Sequence, residues 1–300
     1  MKCLEWQEVR ECRISQYKEQ TQMKRRHFIN LAGVGAIGTT ALSSYPLPAV
    51  AQNTRWQPDG AGSRARIGVL TPDFDPVPES EMWAMAPQGV SIHAARVPRN
   101  REGARSFADP PHVDNAAEQL TGLTPQAIVY AYTSSSYALG AEADDLLRAR
   151  LEKRTRGIPV VLTCPAATEA LRILGAHRVA VINPPWFTEE VNAKGMDYFR
   201  SRGFEVVLCA RITPARLLTE VLPAEVYEWV RANVPRHAEA VFIGGNGLRA
   251  VGVIHALEES LRRPILTANQ VALWAALRVA GVTSKISRYG RVFTKSGSSR

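Results

Sequence analysis

Eight short apolar runs, each followed by a segment with helical character, place the strongest constraint on how this 300-residue chain folds. Most of these runs are nearly continuous in Val, Ile and Leu, which is typical of strands buried on both faces. Strands of this kind form parallel sheets that helices cover. The predicted strands are 67–70, 90–94, 127–132, 160–163, 179–182, 206–209, 240–243 and 265–267.

The spacing of the predicted strands repeats along the chain. Matching positions recur at similar intervals, so four strands are followed by four more in the same order. The intervals are 112 positions from Ile67 to Val179, 113 from Ile128 to Val241 and 105 from Val160 to Ile265.

The repeat predicts an α/β fold with two similar Rossmann-like, flavodoxin-like parallel-sheet halves related by a pseudo-twofold axis. The halves are 65–175 and 176–282, and a tail, 283–300, is expected to pack back onto one of them. Ligands of open parallel sheets bind beyond the carboxyl ends of the strands. We therefore expect a ligand cleft between the halves, lined by the loops after the strands.

A basic and then weakly apolar segment near the start of the chain resembles an export signal. Residues 24–26 are Lys-Arg-Arg, Phe28 follows, and an uncharged Gly/Ala-rich run, 31–47, leads to small residues that end at Ala51. The paired arginines resemble a twin-arginine signal. A membrane anchor is the alternative, but the run is rich in glycine and falls short of the roughly 20 apolar residues that a spanning helix needs.

These features predict a twin-arginine-type signal peptide over 23–51, with cleavage near Ala51, followed by a linker, 52–64. The protein would pass through the twin-arginine export machinery to the periplasm or the medium, with no stable membrane insertion after cleavage. Residues 1–22 are polar and mixed in charge, so we expect translation to begin at Met23 and residues 1–22 to be a non-native upstream extension.

Composition excludes several classes of function. The net charge is +9, but the first 51 residues carry seven Lys/Arg against four Asp/Glu, which leaves +6 scattered among acidic residues. No zinc-finger spacing or helix-turn-helix pattern accompanies this charge, so we expect no nucleic-acid partner. Gly33, Gly35 and Gly38 form a G-x-G-x-x-G pattern, but no strand precedes it and no βαβ unit follows. We therefore expect no nucleotide and no other cofactor.

Two matched loops follow the third strand of each predicted half. One contains Thr133 and the serines 134–136, and the other is the Gly-Gly-Asn-Gly sequence 244–247. Helices are predicted to begin soon after each loop, at Tyr137 and Leu248. Loops of small residues leave room for a ligand and offer it hydroxyl and backbone N–H groups. Neither loop contains an acid, a base or a thiol.

With these loops placed, residues 66–293 resemble the aspartate/glutamate racemase superfamily, in its maleate cis-trans isomerase and arylmalonate decarboxylase branch. The order and spacing of several short motifs carry this resemblance. The motifs are Ile67-Gly68-Val69 with Thr71-Pro72, Gly89 to His93 with Arg96, Tyr132 to Ser136, Glu190-Val191-Asn192, Gly247-Leu248-Arg249, Ala268 to Trp274 and Tyr289 to Phe293.

The resemblance implies that a small carboxylate binds between the halves and that a cysteine at each third-strand loop performs the chemistry. Such thiols move protons, or add to a double bond so that it can rotate. In this chain, Thr133 and Gly245 stand at the expected cysteine positions. The two-thiol mechanism is therefore not available to it.

Unlike the cysteines, the groups that would bind a carboxylate in the family have counterparts in this sequence. We expect hydroxyl and backbone groups of the first loop to bind one carboxylate, and the amide and backbone N–H groups of the second loop to bind another. Phe187 is a candidate wall of the site. The predicted binding residues are Thr133, Ser134, Ser135, Asn246, Gly247, Leu248 and Phe187.

Few residues could replace the missing thiols as proton carriers. Cys164, just before Pro165 at a helix start, could have a lowered pKa, although a buried core cysteine is the alternative. Asp73 and Asp75 follow the first strand and could serve as a base or an acid, although aspartate is also common in turns. The histidines show no metal-ligand spacing, so no metal site is predicted.

Two functions fit these patterns. One is an enzyme, an isomerase or decarboxylase that acts on a small mono- or dicarboxylate without the cysteine pair. The other is a non-catalytic periplasmic carboxylate-binding protein that has kept the cleft and lost the chemistry. A structural or interaction module is a third class, and it predicts no stabilisation by small carboxylates.

Overall fold

The computed structural model describes residues 62–98, 103–213 and 220–294. The predicted upstream extension, the signal peptide and nearly all of the linker lie outside these residues. Within the described ranges, no helix is long and apolar enough to cross a membrane.

The first half contains a four-stranded parallel sheet in the order β2-β1-β3-β4. A short 3-10 helix, Ala104–Ala108, follows β2. The elements are β1 (Ala65–Pro72), α1 (Val77–Met85), β2 (Val90–Val97), α2 (His112–Thr121), β3 (Ala127–Tyr130), α3 (Thr133–Leu139), α4 (Ala141–Arg154), β4 (Val160–Leu162) and α5 (Thr163–Ile173).

The second half repeats this arrangement, with a parallel sheet in the order β6-β5-β7-β8. Two 3-10 helices, Val251–Val253 and Arg291–Phe293, lie in this half. The other elements are β5 (Arg178–Asn183), α6 (Glu189–Ser201), β6 (Glu205–Arg211), α7 (Pro223–Asn233), β7 (Ala240–Ile243), α8 (Ile254–Leu261), β8 (Ile265–Thr267) and α9 (Ala268–Val279).

All eight predicted strands are present, and the prediction of two α/β halves with equivalent strand orders is confirmed. Continuous apolar runs gave the right result because the inner strands are buried on both faces: every residue of β3 and of β7 is buried. The halves share a core through α9, in which ten of twelve residues are buried and which packs against α1 and α5 of the first half.

Two predicted helix starts are wrong. The first third-strand loop is already helical, because α3 begins at Thr133 rather than at Tyr137. After β7 the chain forms a turn in which the Leu248 N–H donates to the Gly245 carbonyl at 3.0 Å, and α8 begins only at Ile254. The glycines at 244, 245 and 247 favour this turn over a helix.

Residues 289–293, in the chain after α9, are bonded to the second half. Val292 and Phe293 are buried, and the Gln270 side chain of α9 donates to the Tyr289 carbonyl at 2.5 Å. The Arg291 N–H donates to the Glu258 carboxylate of α8 at 3.0 Å.

Candidate functional site

A cavity of about 330 Å³ lies where the carboxyl ends of β1, β3, β5 and β7 meet. It is the place that the topology of two facing parallel sheets predicts for a ligand. The residues that line it are Pro72, Phe74, Asp75, Ala104, Phe107, Ala131, Tyr132, Thr133, Ser134, Trp186, Phe187, Thr188, Val191, Gly245, Asn246 and Gly247.

Most of the predicted binding residues meet at this cavity. The predicted residues that line it are Thr133, Ser134, Phe187, Gly245, Asn246 and Gly247. The predicted residues that do not line it are Ser135, Leu248, Cys164 and Asp73.

Ser135 and Leu248 are turned away from the cavity by their local structure. Ser135 is fully buried and its hydroxyl accepts a hydrogen bond of 2.8 Å from the Tyr130 hydroxyl. The Leu248 N–H, predicted to bind a ligand carboxylate, instead closes the turn with Gly245.

Asn246 and Thr133 bind each other across the two halves. The Asn246 side-chain oxygen accepts a hydrogen bond of 2.9 Å from the Thr133 N–H and one of 2.7 Å from the Thr133 hydroxyl. The hydroxyl of Thr163 lies 3.4 Å from the same oxygen. Two of the donors that we predicted for a ligand carboxylate, the N–H and the hydroxyl of Thr133, are thus used by a carboxamide oxygen of the protein itself.

A chain of buried polar groups fixes the orientation of the Asn246 amide. The Asn246 side-chain nitrogen donates to the side-chain oxygen of Asn269 at 2.9 Å. The Asn269 side-chain nitrogen in turn donates to the backbone carbonyl of Asn246 at 2.8 Å and to one carboxylate oxygen of Glu81 at 2.7 Å. The other Glu81 oxygen accepts from the N–H groups of Ala250 and Val251 at 2.7 and 3.1 Å. Glu81 lies in α1 of the first half, so this series of hydrogen bonds joins the two halves.

The strand register shows that Thr133 and Gly245 are not equivalent positions. Tyr130 pairs with Leu70 of β1, and Ile243 pairs with Ile182, the repeat counterpart of Leu70. Counting forward from these pairs makes residue 132 the counterpart of Gly245. Our placement of the first position was therefore one residue late with respect to the second.

The backbone at Gly245 excludes a side chain. Its φ is +81°, a value that favours glycine, and a Cβ added there would lie 2.1 Å from Cγ of Pro184. A cysteine at this position would require the loop after β5 to move. The absence of a thiol on this side is therefore built into the packing as well as into the sequence.

Cys164 is not an activated thiol. It is fully buried, and its sulfur lies 3.9 Å from the Thr133 carbonyl, which it faces as a weak donor. Burial, with the Asp144 charge, raises the pKa of Cys164 well above its usual value. The helix start that we expected to lower this pKa is outweighed because the thiolate would have no solvent. Burial likewise raises the pKa of Cys209 to about 11.

Asp75 is the carboxyl group that the cavity contains. It is 3% exposed, and it accepts a hydrogen bond of 3.0 Å from the Val77 N–H at the start of α1. Burial raises the pKa of Asp75 to about 6, although the Val77 bond and the Arg96 charge oppose the shift. Asp73, by contrast, is exposed and does not line the cavity. The geometry therefore favours Asp75 over Asp73.

Several lining residues were not predicted. Tyr132 was assigned to a strand, and Val191 belonged to a motif of the family resemblance, but neither was assigned to the site. Phe107 enters the cavity from the 3-10 helix after β2, and Thr188 and Val191 enter it at the start of α6. With Phe74, Trp186 and Phe187 they give the cavity mainly apolar walls. Among the described residues, no three potential metal-ligating side chains cluster together.

A larger cavity of about 760 Å³ lies elsewhere, between β4, α5 and α9. Its walls include Glu169 and Arg278, which form an ion pair at 2.6 Å, and Trp274. None of the predicted site residues reaches it. We place the site in the smaller cavity because a buried acid and loops of both halves converge there.

Comparison with known proteins agrees with this architecture. The family model of arylmalonate decarboxylase matches residues 90–293, well over half of the chain. The chain is 26% identical to the arylmalonate decarboxylase of Bordetella bronchiseptica over 169 residues, which cover 55% of this chain and 69% of that protein. It is 25% identical to a maleate isomerase of Pseudomonas putida over 153 residues, 47% of this chain and 60% of the relative.

Solved structures share the fold. A maleate isomerase variant from Pseudomonas putida S16, determined with maleate, superposes with a TM-score of 0.70 at 20% identity and covers 77% of this chain and 97% of its own. A Nocardia farcinica maleate cis-trans isomerase mutant with a covalently bound succinylcysteine intermediate gives 0.70 at 20% identity, with 77% and 99% covered. An arylmalonate decarboxylase gives 0.63 at 20% identity, with 77% and 100% covered. From the match of the family model, this chain belongs to the arylmalonate decarboxylase family.

Proposed function

We propose that the cavity binds a small mono- or dicarboxylate and that the protein decarboxylates a malonate-type substrate with Asp75, not a cysteine, as the proton donor. The observation that carries this proposal is the position of Asp75, a buried carboxyl in the wall of the cavity whose pKa is raised to about 6. A carboxyl with such a pKa exchanges protons near neutral pH, as a general acid must.

The proposed reaction needs one proton and a place for negative charge. The bond between the central carbon and one carboxylate breaks, CO₂ leaves, and the electron pair passes into an enediolate on the remaining carboxylate. Asp75 then gives its proton to the central carbon, and solvent protonates Asp75 again. Hydrogen-bond donors that are held in place for the enediolate oxygens lower the barrier.

Decarboxylation fits the cavity better than thiol-based isomerisation. Rotation about a double bond by covalent addition requires a nucleophile within the site, as the succinylcysteine intermediate of the Nocardia farcinica relative illustrates. No described lining residue carries a thiol, and Pro184 fills the space that a Gly245 side chain would need. Decarboxylation needs a proton donor and hydrogen-bond donors for the enediolate, but no nucleophile.

The residues that line the cavity indicate which chemical group the ligand carries besides its carboxylate. Phe74, Phe107, Trp186, Phe187 and Val191 present apolar surface to the cavity. Ser134, at the first turn of α3, is half-buried and also lines the cavity. We infer that the substrate is a carboxylate with an apolar substituent.

The test is decarboxylation of phenylmalonate and methylphenylmalonate in deuterated buffer near pH 6. We expect CO₂ release and one deuterium on the α-carbon of the product, measured by mass spectrometry. Asp75→Asn, which keeps an oxygen for the Val77 N–H, should abolish turnover. The matched control Asp73→Asn changes an exposed carboxyl two residues away and should keep it. Equal rates for the two variants would refute the role of Asp75.

A non-catalytic carboxylate-binding protein is the second candidate, favoured by the absence of a thiol from the described lining of the cavity. It predicts that phenylacetate or maleate raises the unfolding temperature while no substrate in the panel releases CO₂. The deuterated-buffer experiment separates the two candidates directly.

Export is a further part of the proposal, supported by the twin-arginine-like pattern of residues 24–28. A reporter that is active only after export should be delivered by a fusion to residues 23–51. Replacing both Arg25 and Arg26 by Lys should abolish this delivery. Delivery that survives the double substitution would contradict the twin-arginine route.

A further inference from the structure

Tyr132 lines the cavity and has no role in the proposed reaction. Its side chain lines the cavity and is only 3% exposed, yet its hydroxyl has no hydrogen-bond partner in the described part of the chain. Burying a hydroxyl without a partner is unfavourable, so such groups in folded proteins commonly have a function.

The neighbouring buried tyrosines show how unusual this is. The Tyr130 hydroxyl donates to Ser135 at 2.8 Å, and the Tyr137 hydroxyl donates to the Asn183 side chain at 3.3 Å. The Tyr198 hydroxyl donates to the Asp144 carboxylate at 2.9 Å. The fold therefore supplies acceptors for buried phenols around the site, and it leaves Tyr132 without one.

The ring of Tyr132 is held in place by aromatic neighbours. It stacks on the Tyr130 ring with centroids 4.6 Å apart, and it lies 4.8 Å from the Phe107 ring in a tilted arrangement. A side chain packed in this way points its hydroxyl in a fixed direction, so it binds a ligand with little loss of conformational freedom.

The surroundings keep the phenol protonated. Burial raises the pKa of Tyr132 far above its usual value, and the nearby carboxyls of Asp73 and Asp75 raise it further. Asp75, one of these two carboxyls, lines the same cavity as Tyr132. Tyr132 is therefore a hydrogen-bond donor and not a base.

The two halves are unequal at this position. The strand register makes Gly245 the counterpart of Tyr132, and Pro184 prevents any side chain at 245. Side-chain chemistry at these paired positions can come only from the first half.

We propose that the Tyr132 hydroxyl is a substrate-binding group that donates a hydrogen bond to a carboxylate oxygen of the ligand, beside Asp75. This inference rests on the proposed function, because it names a further contact in the same site. The ligand supplies the acceptor that the protein lacks, and the phenol orients the carboxylate relative to the acid.

The test compares Tyr132→Phe with the wild-type protein, by calorimetric titration with phenylacetate and by thermal unfolding. Removing the hydroxyl keeps the ring stack and relieves an unpaired buried group, so the unfolding temperature should stay the same or rise. The dissociation constant of phenylacetate should increase roughly 10-fold or more, as for loss of a hydrogen bond to a charged group. A purely structural role predicts a lower unfolding temperature and an unchanged dissociation constant.

Tyr198→Phe is the matched control, because it removes a buried hydroxyl that has a partner and lies away from the cavity. It should lower the unfolding temperature and leave phenylacetate binding unchanged. If Tyr132→Phe binds phenylacetate with wild-type affinity, the inference about Tyr132 is overturned and the proposed function is not. Failure of the wild-type protein to bind phenylacetate, phenylmalonate or maleate would instead overturn the proposed function, and the inference with it.

Discussion

The side-chain oxygen of Asn246 accepts hydrogen bonds from both the N–H and the hydroxyl of Thr133, at 2.9 and 2.7 Å. Thr133 starts α3 in the first half, and Asn246 follows β7 in the second. The strand register makes them counterparts. The contact therefore joins the two halves at the pseudo-twofold axis and forms part of the wall of the cavity.

Asn246→Ala should lower the free energy of unfolding by about 3 kcal/mol, because it leaves several buried groups without a partner. The groups affected are the Thr133 N–H and the Asn269 side chain. Urea unfolding measures the change. Asn233→Ala, at an exposed amide on α7, is the control and should change the free energy by less than about 0.5 kcal/mol. Similar effects of the two substitutions would show that the contact between the halves is not important for stability.

Gly245→Ala should destabilise the protein by about 3 kcal/mol, through a positive φ and a clash with Pro184. Gly245→Cys should destabilise the protein for the same reasons and should not introduce thiol chemistry. Gly252→Ala is the matched control, since its φ is not positive and nothing lies within 4 Å of an added Cβ. An alanine at 245 that is tolerated as well as one at 252 would refute the steric argument.

The rate of decarboxylation should fall as the pH rises through about 6. Asp75 must be protonated to act as the acid, and burial raises its pKa to about that value. A pH profile of kcat between pH 5 and 8 measures this. A rate that rises over the same interval would identify Asp75 as a base.

Glu81 should make the protein less stable as the pH rises from about 4.5 to 7. Burial raises its pKa from 4.5 to about 7, so the folded state holds the proton over an interval in which the unfolded state releases it. The contribution of Glu81 to the free energy of unfolding is therefore greatest below pH 4.5, and it is lost as the pH rises through the folded pKa. Glu81→Gln should reduce the decrease in the free energy of unfolding between pH 4.5 and 7 by about 3 kcal/mol. Urea unfolding at several pH values measures this decrease. A slope identical to that of the wild-type protein would contradict the shift.

The fold was predictable because its strongest signal is local. Strands covered on both sides leave continuous apolar runs, and the repeat of those runs gave the number and order of strands in both halves. The small residues at 133–136 and 244–247 likewise marked the correct edge of each sheet. Thr133, Ser134, Asn246 and Gly247 from these loops, with Phe187 from the loop after β5, line the cavity.

The parts that could not be predicted depend on contacts between distant segments. Packing that no local pattern reveals buries Cys164 and Asp75. This burial raises the pKa of the Cys164 thiol well above its usual value and raises the pKa of Asp75 to about 6. Phe107 enters from a 3-10 helix with no sequence signature. The one-residue offset between Thr133 and Gly245, by contrast, was available from the sequence, because the interval of 113 positions from Ile128 to Val241 makes Asn246 the counterpart of Thr133.

The most direct test of a thiol-independent, Asp75-dependent site is the rate of phenylmalonate decarboxylation by a variant in which Cys3, Cys12, Cys164 and Cys209 are all replaced by alanine. Within experimental error, we expect the cysteine-free protein to retain the wild-type rate per folded molecule, and Asp75→Asn in that background to abolish it. Loss of activity in the cysteine-free protein, with folding and phenylacetate binding intact, would contradict the account.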